Sequence, residues 1–360
     1  MTLALLALLL FADPPQGQLR TFDAVSRQAE AARDADKTVD AIRLYREAVK
    51  LKPTWTEGWW YLGTLLYERD EFATGRDAFA RHTKLDPTGG PAFGMLGLCE
   101  FQTKEYEKAL THLNQGLKLG LGPNPSLTHV ARYHAAILLT HFREFEAAVQ
   151  TFIVMSGDGI DDPKAVAAAG IAALRMPLLP SELPQQKQEI VFLVGRAVYD
   201  TGARRAADAK REWEEVVTRF PSEPNIHYLY GGFLLLSEPD HAIVEWKREL
   251  ELSPDHVPAR LQLAYEYLKR GDTANALPYA EQAVHLQPDS FVARNALGRV
   301  LVEAGDLKRG ISELELAAKI APQSPEIRIA LATAYAKANR HEDAARERAL
   351  FLNLKKEQAQ

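Results

Sequence analysis

Five prolines set a ruler along this chain. Pro53 and Pro87 lie 34 residues apart, and Pro254, Pro288 and Pro322 repeat the same 34-residue step. Each closes a similar phrase: Val49-Lys50-Leu51-Lys52-Pro53, Lys84-Leu85-Asp86-Pro87, Leu250-Glu251-Leu252-Ser253-Pro254, Val284-His285-Leu286-Gln287-Pro288 and Ala318-Lys319-Ile320-Ala321-Pro322. Proline lacks an amide hydrogen and has a fixed φ, so it stops one helix and suits the turn before the next. A constant step of this size marks stacked supersecondary units. The chain has 360 residues, more than one compact core usually reaches, which also favours an open-ended array or two domains.

A second pattern runs between the prolines. Leu62-Gly63, Leu96-Gly97, Leu263-Ala264, Leu297-Gly298 and Leu331-Ala332 each fall near the middle of a first helix. Twelve residues after each small residue comes another: Gly75, Ala109, Ala276, Gly310 and Ala344. Antiparallel helices pack at about 8–10 Å most easily where small side chains face each other at the crossing. Larger residues, among them Trp59, Phe79, Phe93, Leu113 and Leu314, fill the space around them. Gly271-Asp272 and Gly305-Asp306 break the helices apart.

This spacing of a large residue, Leu-Gly, a later Tyr or Leu, Ala, an aromatic, Ala and Pro resembles the tetratricopeptide repeat. The fullest match is Trp59, Leu62, Gly63, Leu66, Gly75, Phe79 and Pro87; another unit has Leu263, Ala264, Tyr267, Ala276, Ala283 and Pro288. The units run at about 22–55, 56–89, 90–127, 129–162, 190–223, 224–256, 257–290, 291–324 and 325–358. The resemblance implies an all-α fold, a right-handed superhelix (α-solenoid) of tandem helix–turn–helix repeats. The expected organisation is an N-terminal repeat block at 22–153, an irregular helical insert or degenerate repeat at 154–189, and a C-terminal block at 190–358. Pro177, Pro180 and Pro184 mark the irregular segment. In the 190–223 unit Ala197, Ala209, Trp213 and Pro221 keep the phase, with Arg196 where Leu is usual.

The resemblance also implies a site. In this family the first helix of each pair lines a concave groove, through the residues three before, one after and four after the central small position. On that register the partner-binding face includes Trp60, Thr64, Tyr67, Leu98, Phe101, Tyr133, Tyr228, Tyr265, Asn295 and Arg299. Aromatic side chains there give large contact area at low entropy cost, suiting peptide or helix capture. The competing role for these aromatics is packing between repeats. One variant of the family clamps a C-terminal carboxylate with Lys and Asn on successive first helices. The matching pairs here are Ser26/Glu30, Trp60/Thr64, Gly94/Leu98, Leu261/Tyr265, Asn295/Arg299 and Ile329/Thr333, and none has Lys followed by Asn.

The remaining features argue against chemistry. The formal net charge is −5, and the basic cluster Arg204-Arg205 with Lys210-Arg211 is interleaved with Ala and Asp, so it reads as a solvated helix face and not a nucleic-acid surface. Cys99 is the single cysteine; it lies in an apolar stretch and reads as core. His134 and His141 share a helix face without an acidic ligand at metal spacing. Asp158, Asp161 and Asp162 lack the spacing and closing Glu of a calcium loop and read as turn and cap residues. No phosphate-binding glycine loop and no nucleophile elbow occurs. No catalytic residue, metal or cofactor is expected. The expected partner is a protein or peptide, with self-association as a structural component of the cell envelope the alternative.

Residues 1–12, from Met1 to Ala12, are nearly all apolar. The run is shorter than the roughly 20 residues that span a bilayer. It suits the core of a signal peptide, with an apolar helix capping the first repeat as the other reading. Export to the periplasm or medium is the expectation, and a cytoplasmic location the alternative. No other stretch is apolar enough to be an integral membrane segment.

Overall fold

A computed structural model describes residues 21–123 and 125–358. The apolar run at 1–12 lies outside the described residues. Every regular element among the described residues is a helix. The chain divides into two compact units, one ending at Thr151 and the other starting at Phe152.

The first unit holds α1 (Phe22–Asp34), α2 (Thr38–Leu51), α3 (Thr56–Glu68), α4 (Phe72–Leu85), α5 (Gly90–Gln102), α6 (Tyr106–Leu119) and α7 (Pro125–His141), and α8 (Phe145–Gly157) spans the division. The second continues with α9 (Pro163–Ala173), α10 (Gln188–Gly202), α11 (Ala206–Arg219), α12 (Ile226–Leu234), α13 (Pro239–Leu252), α14 (Val257–Lys269), α15 (Thr273–Leu286), α16 (Phe291–Glu303), α17 (Leu307–Ile320), α18 (Pro325–Lys337) and α19 (His341–Gln358). Successive helices pair antiparallel: α1 with α2, α3 with α4 and α5 with α6 in the first unit, and α12 with α13, α14 with α15, α16 with α17 and α18 with α19 in the second, where α10 packs on both α9 and α11.

The turns explain the period. Before each ruler proline, Lys52, Asp86, Ser253, Gln287 and Ala321 leave the helical region, with φ from −135 to −126° and ψ from 73 to 90°. A proline ring clashes with a helical residue before it, so these geometries follow from the sequence. The turn inside each pair is equally regular. Asp36, Asp70 and Lys104 are 34 residues apart, as are Gly271, Gly305 and Asn339, and all have left-handed φ between 56 and 91°. The next amide reaches back to a first-helix carbonyl in each: Lys37 to Ala32, Glu71 to Leu66, Glu105 to Glu100, Asp272 to Tyr267, Asp306 to Leu301 and Arg340 to Tyr335, at 2.8–2.9 Å. This closes the orphan carbonyls at the helix end.

The small positions lie at the crossings. A Cβ on Gly63 would come within 2.8 Å of the Phe79 ring, one on Gly97 within 2.7 Å of Leu113, and one on Gly231 within 2.5 Å of Trp246. Phe79, Leu113 and Trp246 are fully buried. Cys99 is buried between repeats, and burial pushes its thiol up to about 12, leaving it a small apolar core residue.

Two joints depart from the repeat. Between α6 and α7 the chain turns through Gly120 and Gly122, both at positive φ, and buries Leu121. Leu121 fills the space beside Gly94, where a Cβ would lie 2.8 Å from it. Residues 154–189 contain α9, two short 3₁₀ turns at Pro180–Glu182 and Gln185–Lys187, and the end of α8. Asp162 accepts from the Lys164 amide at 2.9 Å and caps α9, while Asp161 is held by Arg196 through both guanidinium nitrogens, at 2.6 and 3.0 Å. Helix α9 packs on α10 through Gly170 and Gly195; a Cβ on either would collide with the other helix's backbone at about 2 Å. Ala197, two residues on, is buried with Ala209 and Trp213 of α11. Helix α10 therefore has a small residue on each of two faces.

The short α12 is preceded by its N-cap Asn225, itself left-handed. The fully buried Glu249 accepts from the amides of Asn225 and Tyr228 at 2.8 and 3.3 Å, so the end of α12 is satisfied from α13.

Candidate binding groove

Helices α14, α16 and α18 are the first members of the last three pairs in the second unit. Their small residues, Ala264, Gly298 and Ala332, are buried against their partner helices. Helical geometry then turns the residues three before, one after and four after to a common face. An open cavity of about 960 Å³ follows that face. Tyr265 and Leu268 come from α14, Arg299 and Val302 from α16, and Ile329, Ala330 and Thr333 from α18, with Lys269, Glu303 and Glu326 at its edges.

The charges of this groove are unequally satisfied. Glu303 pairs with Lys337 at 2.6 Å. Lys269 pairs with Glu266 at 3.5 Å. Glu326 is held below the usual carboxylate range by its own backbone amide and then by the Ser324 hydroxyl, which donates at 2.9 Å. Arg299 is exposed, makes no ion pair among the described residues, and lies with its guanidinium 5.6 Å from the centre of the Tyr265 ring. That is within cation–π reach. Burial pushes the Tyr265 hydroxyl up, and Asn295 and the positive charge of Arg299 pull it partly back. Asn295 is 7% exposed, and its Oδ1 has no partner among the described residues.

Of the ten residues expected to line a groove, the structure brings Tyr265, Asn295 and Arg299 together. The others sit elsewhere. Trp60 turns its ring edge-on to Phe79 and His82 at 5.7 and 5.8 Å. Thr64 hydrogen-bonds the Trp60 carbonyl at 3.0 Å. Tyr67 packs on Phe72 at 5.3 Å, and Phe101 on His134 at 4.6 Å. Leu98 is 3% exposed. Tyr133 meets His134 at 5.3 Å, and Tyr228 meets His256 at 4.8 Å. In the first unit these half-buried aromatics join repeat to repeat. The ten residues expected from the sequence leave out Leu268 and Val302, and also Ile329 and Thr333, which pair as inner positions, although the same register selects all four. Applying it to every first helix, without favouring aromatic residues, finds them.

No helix among the described residues is long and apolar enough to cross a membrane, and no group of three or more His, Cys, Asp or Glu side chains among them could hold a metal ion.

Antiparallel helix pairs in fixed phase, nested through small residues and offering one face of successive first helices, define a helical-repeat protein. The family model described as tetratricopeptide repeat matches residues 26–90 and 261–325, and the repeats in those two segments are tetratricopeptide repeats. The second match covers α14 and α16 and ends at the start of α18. No curated protein matches the chain. Among solved structures it is similar to a MamA double mutant, RS-1 ArsTM, at 22% identity over 46% of this chain and 94% of that one, with a TM-score of 0.43. A MamA structure from residue 41 onward, from Desulfovibrio magneticus RS-1, aligns at 24% identity over 44% of this chain and 91% of that one, with a TM-score of 0.41.

Proposed function

We propose that this chain is a non-catalytic scaffold that holds a peptide segment of a protein partner along the face of α14, α16 and α18. The observation that carries this reading is the open cavity of about 960 Å³ built from equivalent positions of three successive first helices. Apolar side chains make its wall, and polar side chains stand at intervals, which suits an extended or helical peptide. Ile329 is 40% exposed there, so a charge can be placed on it without opening the core. Ile329→Lys is expected to weaken partner capture while leaving helix content and melting temperature unchanged. Capture at the wild-type level by that variant counts against the groove.

A further inference from the structure

Resting on that reading, we propose that the groove selects an internal acidic side chain, Asp or Glu, in an otherwise apolar extended peptide, with Arg299 and the Tyr265 hydroxyl as its donors. Three observations support this. First, of the two cations on the groove, Lys269 is paired with Glu266, whereas Arg299 is exposed with no ion pair among the described residues. Arg299, in the middle first helix, is thus the cation the groove offers to a ligand. Second, Tyr265 lines the same cavity as Arg299, and its O–H can donate beside the guanidinium. The unpartnered Asn295 Oδ1 beside them is buried out of a ligand's reach, so the ligand group that answers both donors is an anionic acceptor. A guanidinium is suited to a carboxylate because its planar fork can donate twice. Third, the Tyr265 ring lies 5.6 Å from the guanidinium with the apolar wall beside it, so a peptide laid across them would cover the ion pair and strengthen its attraction beyond that on an open surface.

The position of Arg299 argues for an internal acid. It stands on α16, between α14 and α18, each of which contacts α16. The cavity continues past it to Leu268 on one side and to Ile329 on the other. A chain that ended in a carboxylate at Arg299 would leave one arm of the groove empty, whereas a chain passing through places apolar side chains in both.

The test uses the full chain. Random peptides displayed with their C-termini fused to the display protein, so without a free carboxylate, are selected on wild type and on Arg299→Gln. Enriched sequences are then made with both ends capped, and each is compared with its Asp→Asn or Glu→Gln version by titration. Wild type is expected to enrich acidic residues flanked by apolar ones and to lose roughly tenfold in affinity for the neutral version. On Arg299→Gln the acidic and neutral versions should bind alike, and Arg299→Glu should prefer a Lys at that position. Helix content of each variant, equal to wild type, confirms folding. Equal affinity for acidic and neutral peptides on wild type, or the same loss on Arg299→Gln, overturns the acidic preference while leaving the groove intact. A preference seen only with a free C-terminal carboxylate also overturns it. If no selected peptide is weakened by Ile329→Lys, the groove reading falls as well.

Discussion

Gly298 and Gly310 face each other where α16 crosses α17. A Cβ on Gly298 would lie 3.0 Å from the Gly310 carbonyl oxygen, and one on Gly310 would lie 2.9 Å from that of Gly298. Backbone cannot yield as a flexible side chain can. Gly298→Ala is therefore expected to cost about 1–3 kcal/mol. Gly75, at the equivalent place in α4, has different surroundings: its nearest neighbours would be 3.5 Å from a Cβ. Gly75→Ala should add about 0.5–1 kcal/mol through helix propensity. Denaturant melts of the two variants check the opposite signs.

The turns give a second pair of opposite signs. Lys104 holds a left-handed φ of 63° and Gly305 one of 91°. A side chain in that region costs about 1–2 kcal/mol. Lys104→Gly should therefore stabilise the first unit by about 1 kcal/mol, and Gly305→Ala should destabilise the second by a similar amount. Thermal midpoints measure both.

Glu212 and His227 should each lose stabilising power as pH rises from 5 to 8, against His82 and His134, whose pKa values burial lowers and which act the other way. Burial raises the Glu212 carboxyl from 4.5 to about 7, helped by the hydrogen bond and charge of Asp200. Its favourable protonated form is complete below its unfolded pKa and lost as pH climbs toward 7. His227 acts in the same direction. Its ring nitrogens face two acceptors, Glu245 at 2.5 Å and the Pro221 carbonyl at 3.0 Å, so both carry hydrogen. The Glu245 bond raises its pKa from 6.5 against the opposing effect of burial. That contribution is present below 6.5 and lost as pH passes the raised value. Glu212→Gln should flatten the part of the curve below pH 7, which a pH series of melting temperatures reads directly.

Packing aromatics and groove residues should respond differently to truncation. Trp60 contacts Phe79 and His82, so Trp60→Ala should cost about 2–3 kcal/mol even though the ring is only half-buried. Arg299 is exposed and unpaired, so Arg299→Ala should change stability by less than about 0.5 kcal/mol. Equal destabilisation by the two would contradict this division.

The fold was legible because two residue types leave no choice. Proline fixes where α2, α4, α13, α15 and α17 stop, and glycine or alanine fixes where paired helices touch. Less was legible where other residues do these jobs. Leu121 plugs the joint after α6 by filling the space beside Gly94, a contact that no spacing rule contains. Gly195, which seats α10 on α9, is offset by two residues from Ala197, so the repeat phase pointed past it. The site was legible in its register more than in its membership. Tyr265 and Arg299 fell on the groove, while Trp60, Tyr67 and Phe101 share the same register and are drawn into contacts with Phe79, Phe72 and His134. An aromatic at an inner position serves whichever neighbour reaches it first, and only the structure shows which.

The most direct test of the groove is a photo-crosslinking amino acid placed singly at Thr333, on the cavity wall, and at Lys356, exposed on α19. Adducts with a partner or a selected peptide should form from Thr333 and be absent from Lys356. Adducts from Lys356 alone, or equally from both, would contradict capture along α14, α16 and α18.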